Sequence, residues 1–212
     1  VLCDIGRIGP DYLPGHAHAD TLSFELSLAG TRVIVNSGTS EYGLAGERLR
    51  QRGTAAHSTV VVADMDSSEI WSGFRVARRA RVDTIETTET PEALTVSARH
   101  DGYTRLVDGP RHSRRWTLTE NSLRIHDRLD PATPGEARFR LPPGVSAEMS
   151  MADVEPTGLL HLPSGRRLRW RAHDATARID ATTWHPRFGE SQPCTCLAMT
   201  FTGDMTFELD LT

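Results

Sequence analysis

The chain has 212 residues, enough for one large all-β domain or two small ones, and 38% hydrophobic content suits sheets that each show one face to water. A net charge of −4 gives no global field that would draw the chain to nucleic acid or anionic lipid. The three cysteines (Cys3, Cys194 and Cys196) make no C-x-x-C pair and no even set, which argues against a zinc ribbon or a disulfide framework, and no apolar run approaches the roughly 18–20 residues that span a bilayer.

In chain order, residues 1–15 read as a Gly- and Pro-rich loop. Leu22, Phe24, Leu26 and Leu28 then alternate with Ser23, Glu25 and Ser27, the period-two mark of a half-buried strand. A turn at Ala29-Gly30 leads to a second strand over 32–35. A two-residue turn there pairs positions summing to about 59, which sets Asn36 opposite Ser23 and away from His18 unless a bulge intervenes or residues 16–20 fold back. Residues 37–56 read as a long Gly- and Arg-containing loop, and 59–63 as a short apolar strand. Strand signals then recur at 74–87, 93–100, 103–108, 111–119, 122–129, 136–141, 157–162, 166–173, 176–184, 194–202 and 205–211. No segment holds a helical period over three turns. Many short, evenly spaced strands mean an all-β sandwich or barrel across 1–212, with at most a soft boundary near Pro131–Pro134.

Every one of the 24 basic residues is arginine. The guanidinium fork suits the carboxylates and sulfates of acidic sugars, but genomic base composition explains the same bias. Arg48, Arg50 and Arg52 alternate, which reads as a solvated loop face or the lining of an anionic groove.

The densest chemistry is Gly15-His16-Ala17-His18-Ala19-Asp20. Two histidines and an aspartate at i, i+2 and i+4 share one side of an extended chain and can hold a metal, or divide metal and substrate between them. A cupin pattern would add Glu25 to one barrel, but the His-to-Glu gap is too long. A metallo-β-lactamase pattern would need a histidine where Thr21 stands. Tyr42 is a candidate acid or base, or a packing residue with a satisfied hydroxyl.

The stretch from Gly15 to Leu26 resembles the signature of heparinase II/III-like proteins. The likeness continues through Val35-Asn36-Ser37-Gly38-Thr39, Tyr42, Arg52-Gly53-Thr54-Ala55-Ala56-His57-Ser58-Thr59-Val60, His100-Asp101-Gly102-Tyr103 and Arg111-His112-Ser113-Arg114-Arg115. It is clear to about residue 130. Strand periodicity and the resemblance together predict an all-β, antiparallel, supersandwich-like β-sandwich. The resemblance implies the C-terminal β-sandwich of a polysaccharide lyase that cleaves an acidic, uronic-acid polysaccharide by β-elimination, partnered by an N-terminal α/α toroid of the same protein, in a periplasmic or secreted setting. It implies His16 as catalytic, and His18, Asn36 and His57 as metal ligands. Asn36 stands where a carboxylate is common, so the implied zinc site is a weak one. Asp20 would orient a histidine. No role follows for His100, Tyr103 or His112. The chain begins at Val1 close to a dense motif, so a fragment lacking the toroid, and catalytically incomplete by itself, is expected. The rival readings are a non-catalytic carbohydrate-binding or scaffold module and a cupin-type metal enzyme.

Overall fold

The computed structural model describes residues 1–150 and 155–212 as three antiparallel sheets. β1 (Leu2–Cys3), β2 (Phe24–Leu28) and β3 (Thr31–Ile34) form a small sheet. A short helix, α1 (Gly46–Arg52), runs into a 3-10 turn at Thr54–Ala56. After β4 (Val60–Val61), a ribbon of β5 (Ile70–Trp71) and β6 (Arg75–Val76) precedes the large sheet. That sheet contains β7 (Val82–Glu89), β8 (Ala93–His100), β9 (Arg111–Thr119), β10 (Ser122–Asp130), β11 (Pro134–Leu141), β12 (Ser146–Ser150), β13 (Thr157–His161), β14 (Arg167–Trp184) and β15 (Gln192–Asp210). Its order is β12-β13-β14-β15-β10-β9-β8-β7; β11 pairs with β15 and with β4.

Alternation decides which face is inside. On β10, Leu123, Ile125, Asp127 and Leu129 are buried while Arg124 and Arg128 are exposed. The small sheet lies on that inner face: Phe24 meets Phe139 edge-on at 6.1 Å, and Phe139 stacks on Phe207 at 4.4 Å. The result is the expected all-β sandwich, with one core shared by both sheets.

Two pairs of expected strands are single long ones. The ladder of β14 with β15 shifts register between His173 and Ala175, where Asp174 has φ +58°, and Gly203 sits across from this irregularity with φ +79°. At that point β15 exchanges one neighbour for another, from β11 (Thr202 opposite Pro134) to β10 (Asp204 opposite Arg128). The turn-like residues near 174 and 203 therefore mark a bulge inside a continuous ladder. The sheet also runs on across Pro131–Pro134, because β10 and β11 share β15. The expected strand at 103–108 is instead a run of turns, held by Tyr103, whose buried hydroxyl donates to the Val60 carbonyl at 2.6 Å. The expected strand at 74–87 is divided between β6 and β7, and β12 lies in a stretch with no strand expectation.

One layer of the inner face is polar. Cross-strand register sets His100 opposite His112 and Arg114 opposite Asp127. All four are buried. The Gly102 N–H donates to His100 Nδ1 at 3.0 Å, which leaves the His100 proton on Nε2, facing His112 Nδ1 at 3.1 Å. His112 Nε2 then donates to Asp127 Oδ1 at 2.7 Å. Arg114 closes the chain with a two-pronged contact, Nε to Oδ1 at 2.7 Å and Nη2 to Oδ2 at 2.8 Å. Burial alone would raise the Asp127 pKa, but the Arg114 charge and the bonds from His112 and Arg114 outweigh it and hold the carboxyl well below its usual range. Burial likewise keeps His100 and His112 neutral.

Removing one partner strands the other charge in the core. Asp127→Asn should therefore cost about 3–5 kcal/mol of unfolding free energy at neutral pH, read from urea titration. A pH series tests the histidines. His18, His57, His100, His112 and His185 all have pKa values lowered by burial, so below their ordinary value the unfolded chain binds more protons and stability falls. Asp4, Asp20 and Asp66, raised by burial, act in the opposite sense and are fewer. Stability should drop as pH falls from 7 to 5, each neutral-held imidazole contributing up to about 1.4 kcal/mol per pH unit.

Candidate functional site

The site-bearing segments are loops, and buried arginines hold them. In α1, Arg48 and Arg52 are four residues apart and both face inward, whereas Arg50 points out and pairs with Glu47 at 2.6 Å. A helical period thus replaces the expected alternation along a loop. Arg52 donates from Nε to the Ala17 carbonyl at 3.0 Å, and from Nη1 and Nη2 to the carbonyls of Ser72 and Arg75 at 3.0 and 3.2 Å. The Ala19 N–H returns a bond to the Arg52 carbonyl at 2.8 Å, and Thr54 Oγ1 donates to the Ala19 carbonyl at 2.8 Å. The loop carrying His16 and His18 is fixed by these bonds. Arg140 does the same for the turn before His57, donating to the carbonyls of Ala56 at 3.0 Å and Ala55 at 3.2 Å.

Held this way, His18 Nδ1 lies 3.3 Å from His57 Nε2, with the rings 5.2 Å apart. Residues 16–20 fold back, and β2 and β3 also carry a bulge between Leu26 and Ser27. The pair is neutral at ordinary pH. Burial, helped by the Arg48 and Arg52 charges, lowers His18 to about 4, and burial with the His18 ring and Arg140 lowers His57 well below its ordinary value. Asp20 completes a cluster whose ligand atoms all lie within 4.8 Å of one another. Burial and the neighbouring Asp4 raise the Asp20 pKa to about 7.

Asn36 does something different. Its Oδ1 accepts the Ser58 N–H at 3.0 Å and its Nδ2 donates to Ser23 Oγ at 3.2 Å, although the bulge shifts the backbone ladder by one residue from the register of a plain two-residue turn. It braces the backbone next to His57, and the carboxylate in reach of both imidazoles is that of Asp20. A cation of zinc type fits the donor set His18, Asp20 and His57: the two nitrogens are separated by about the edge of a tetrahedron with ~2 Å bonds.

His16 turns the other way. It is exposed, and its ring meets Tyr42 edge-on at 5.2 Å and Phe74 at 6.3 Å. Tyr42 also touches Phe74 at 5.8 Å and Phe188 at 5.0 Å. Two backbone contacts create this cluster. A Cβ on Gly73 would sit 1.9 Å from the Gly43 carbonyl oxygen, and one on Gly38 would sit 2.0 Å from the His185 carbonyl oxygen. The loops bearing Tyr42, Phe74 and Phe188 therefore pack backbone to backbone. Trp71, Tyr12, Leu13 and Leu44 are exposed apolar side chains close in sequence to these loops.

Glu25 is not part of a cupin-like ligand set: it pairs with Arg32 at 2.5 Å and accepts the Asn36 N–H at 3.3 Å. His100, Tyr103 and His112 are core residues beneath the site.

Fold and site together define a β-sandwich domain with a histidine-centred site at its rim. The family model described as heparinase II/III-like, C-terminal, matches residues 1–210, and the chain belongs to that family. Solved structures show the same fold. The heparan sulfate lyase of Pedobacter heparinus, in a mutant form, aligns over 97% of this chain and 32% of its own, with TM-score 0.74 and 13% identity. A structure described as heparinase III aligns over 95% and 32%, with TM-score 0.72 and 16% identity. Another heparinase III gene product aligns over 92% and 30%, with TM-score 0.71 and 13% identity. The chain thus spans about a third of the length of these proteins. No curated protein sequence matches it. No helix among the described residues is long and apolar enough to cross a membrane.

Proposed function

We propose that the chain forms the sheet side of a polysaccharide lyase acting on uronic-acid glycans, with His16 and Tyr42 as its proton-transfer pair. The observation that carries this reading is the division between the histidines. His16 stands exposed beside Tyr42, while His18 is turned inward onto His57. In β-elimination a base takes the proton from C5, the C4–O4 bond breaks, a C4–C5 double bond forms, and an acid protonates the departing oxygen. One ring of the pair serves as base and the other as acid. The rim aromatics Tyr42, Phe74, Trp71 and Phe188 suit stacking against sugar faces. A helical toroid elsewhere in the same protein would close the other side of the cleft and exclude water. His18, Asp20 and His57 would hold zinc, which when bound supplies a fixed positive charge behind the catalytic loop.

In the lyase, His16→Ala should lower the rate of unsaturated-product formation on alginate, heparan sulfate, hyaluronan or a bacterial exopolysaccharide by roughly 10²–10⁴-fold, and Tyr42→Phe by a comparable factor. Neither should change metal content. Wild-type turnover in both variants removes the pair from the chemistry. Glycan binding without any product would favour the carbohydrate-binding module, which the exposed aromatics also fit. For the metal, Asp20→Asn should weaken Zn(II) binding by about tenfold or more in chelator competition, and Asn36→Ala by much less. The reverse order would restore Asn36 as the ligand.

A further inference from the structure

Four arginines are buried: Arg48, Arg52, Arg114 and Arg140. Three have their forks filled. Arg52 and Arg140 spend Nε and both terminal nitrogens on backbone carbonyls and a threonine hydroxyl. Arg114 lays the Nε–Nη2 edge of its guanidinium against both oxygens of Asp127. That edge presents two parallel N–H groups at the spacing of a carboxylate.

Arg48 presents the same edge with nothing on it. Its Nη1 points to Thr39 Oγ1 at 3.3 Å and His18 Nε2 at 3.2 Å. Its Nε and Nη2 are buried and have no partner among the described residues. It takes part in no ion pair with N···O within 4 Å among those residues, although its exposure is 0%. A buried cation without an anion is costly, and two orphaned donors on it add to that cost. The Tyr42 ring stacks over the guanidinium at 5.2 Å and is itself 48% exposed, which places Arg48 directly beneath the rim where His16 stands.

We propose that Arg48, lying beneath the Tyr42 ring, is the receptor for the carboxylate of an acidic sugar. The proposal rests on the lyase reading of the rim and adds to it the group that neutralises substrate charge from the sheet side. A sulfate offers a similar pair of oxygens, so both anions enter the test. A resident competitor also exists: Glu41, on the same loop as Tyr42, has a buried Oε1 with no partner.

The test follows the Arg48 Nε–H resonance of the chain by NMR during titration with glucuronate, N-sulfoglucosamine and glucose. Glucuronate should shift the resonance saturably and glucose should not. Arg48→Lys keeps the charge but removes the fork, and should weaken glucuronate binding by about tenfold or more. If that variant does not fold, the wild-type titration still decides, since the resonance can be assigned through bonds. An Arg48 signal indifferent to both anions overturns the proposal. So does a response to glucose of equal size, or a shift on Glu41→Gln that shows Glu41 already fills the fork. A response to the sulfated sugar alone overturns the carboxylate assignment. Unsaturated product from the full-length wild type, with an Arg48 signal that ignores uronate, sinks Arg48 and leaves the lyase. An Arg48 response in this chain, with no product from the full-length protein on any acidic glycan, does the reverse.

Discussion

The structure depends on the contact between Arg114 and Asp127. The two residues are cross-strand neighbours on the inner face of the large sheet, and neither reaches water. Arg114 does more than neutralise Asp127. Its Nη1 donates to the Leu22 carbonyl at 3.0 Å and the Ser58 carbonyl at 2.7 Å, and so ties the sheet to the end of the His16–Asp20 loop and to the residue after His57. A guanidinium can do this from within a core only if its charge is balanced there, which is the work of Asp127. The Asp127 oxygen shared with His112 is satisfied by a chain of donors that ends on the Gly102 N–H. Each member of the chain accounts for its neighbour's lone pair, and the layer is polar without leaving an orphan.

The arginine-only composition has a structural meaning alongside its two sequence-level explanations. Loops that fold back over a sheet have no ladder to satisfy their carbonyls. Arg52 reaches carbonyls in two separate segments, and Arg140 bridges the turn before His57 to Thr182 and Thr183 on β14. Lysine has a single nitrogen at the end of a flexible stem and cannot span such gaps. The cost is a concentration of positive charge beneath the site. That charge, added to burial, keeps His18 and His57 unprotonated with their lone pairs available.

Much of this was legible in the residues. The period-two pattern identified the inner faces, and the Ala29-Gly30 turn brought Asn36 near Ser23, with which its side chain bonds, although the bulge after Leu26 shifts the paired register. Other features were obscured for physical reasons. Asp174 and Gly203 carry turn chemistry, but within a long ladder it serves a bulge. Arg48, Arg50 and Arg52 fit period two as well as a two-turn helix, and a helix of seven residues is too short for its period to announce itself. Tyr103 alternates like a strand residue, yet its hydroxyl bond to Val60 needs a turn. The reach of Asp20 toward His57, 37 positions away in sequence, depends on the fold-back of the loop, which spacing alone does not specify.

The same scaffold accounts for the difference between two histidines that sit two residues apart. Along the loop, i and i+2 share a side only while the chain stays extended. Once Arg52 grips the Ala17 carbonyl between them, the loop turns, and the two imidazoles part company. His18 enters the arginine-lined interior and meets His57; His16 is left at the rim against Tyr42 and Phe74. A neutral, enclosed imidazole is suited to holding a ligand in place, because its lone pair does not compete with solvent protons. One backbone carbonyl, held by one guanidinium, therefore divides a single H-x-H motif into an enclosed half and an exposed half.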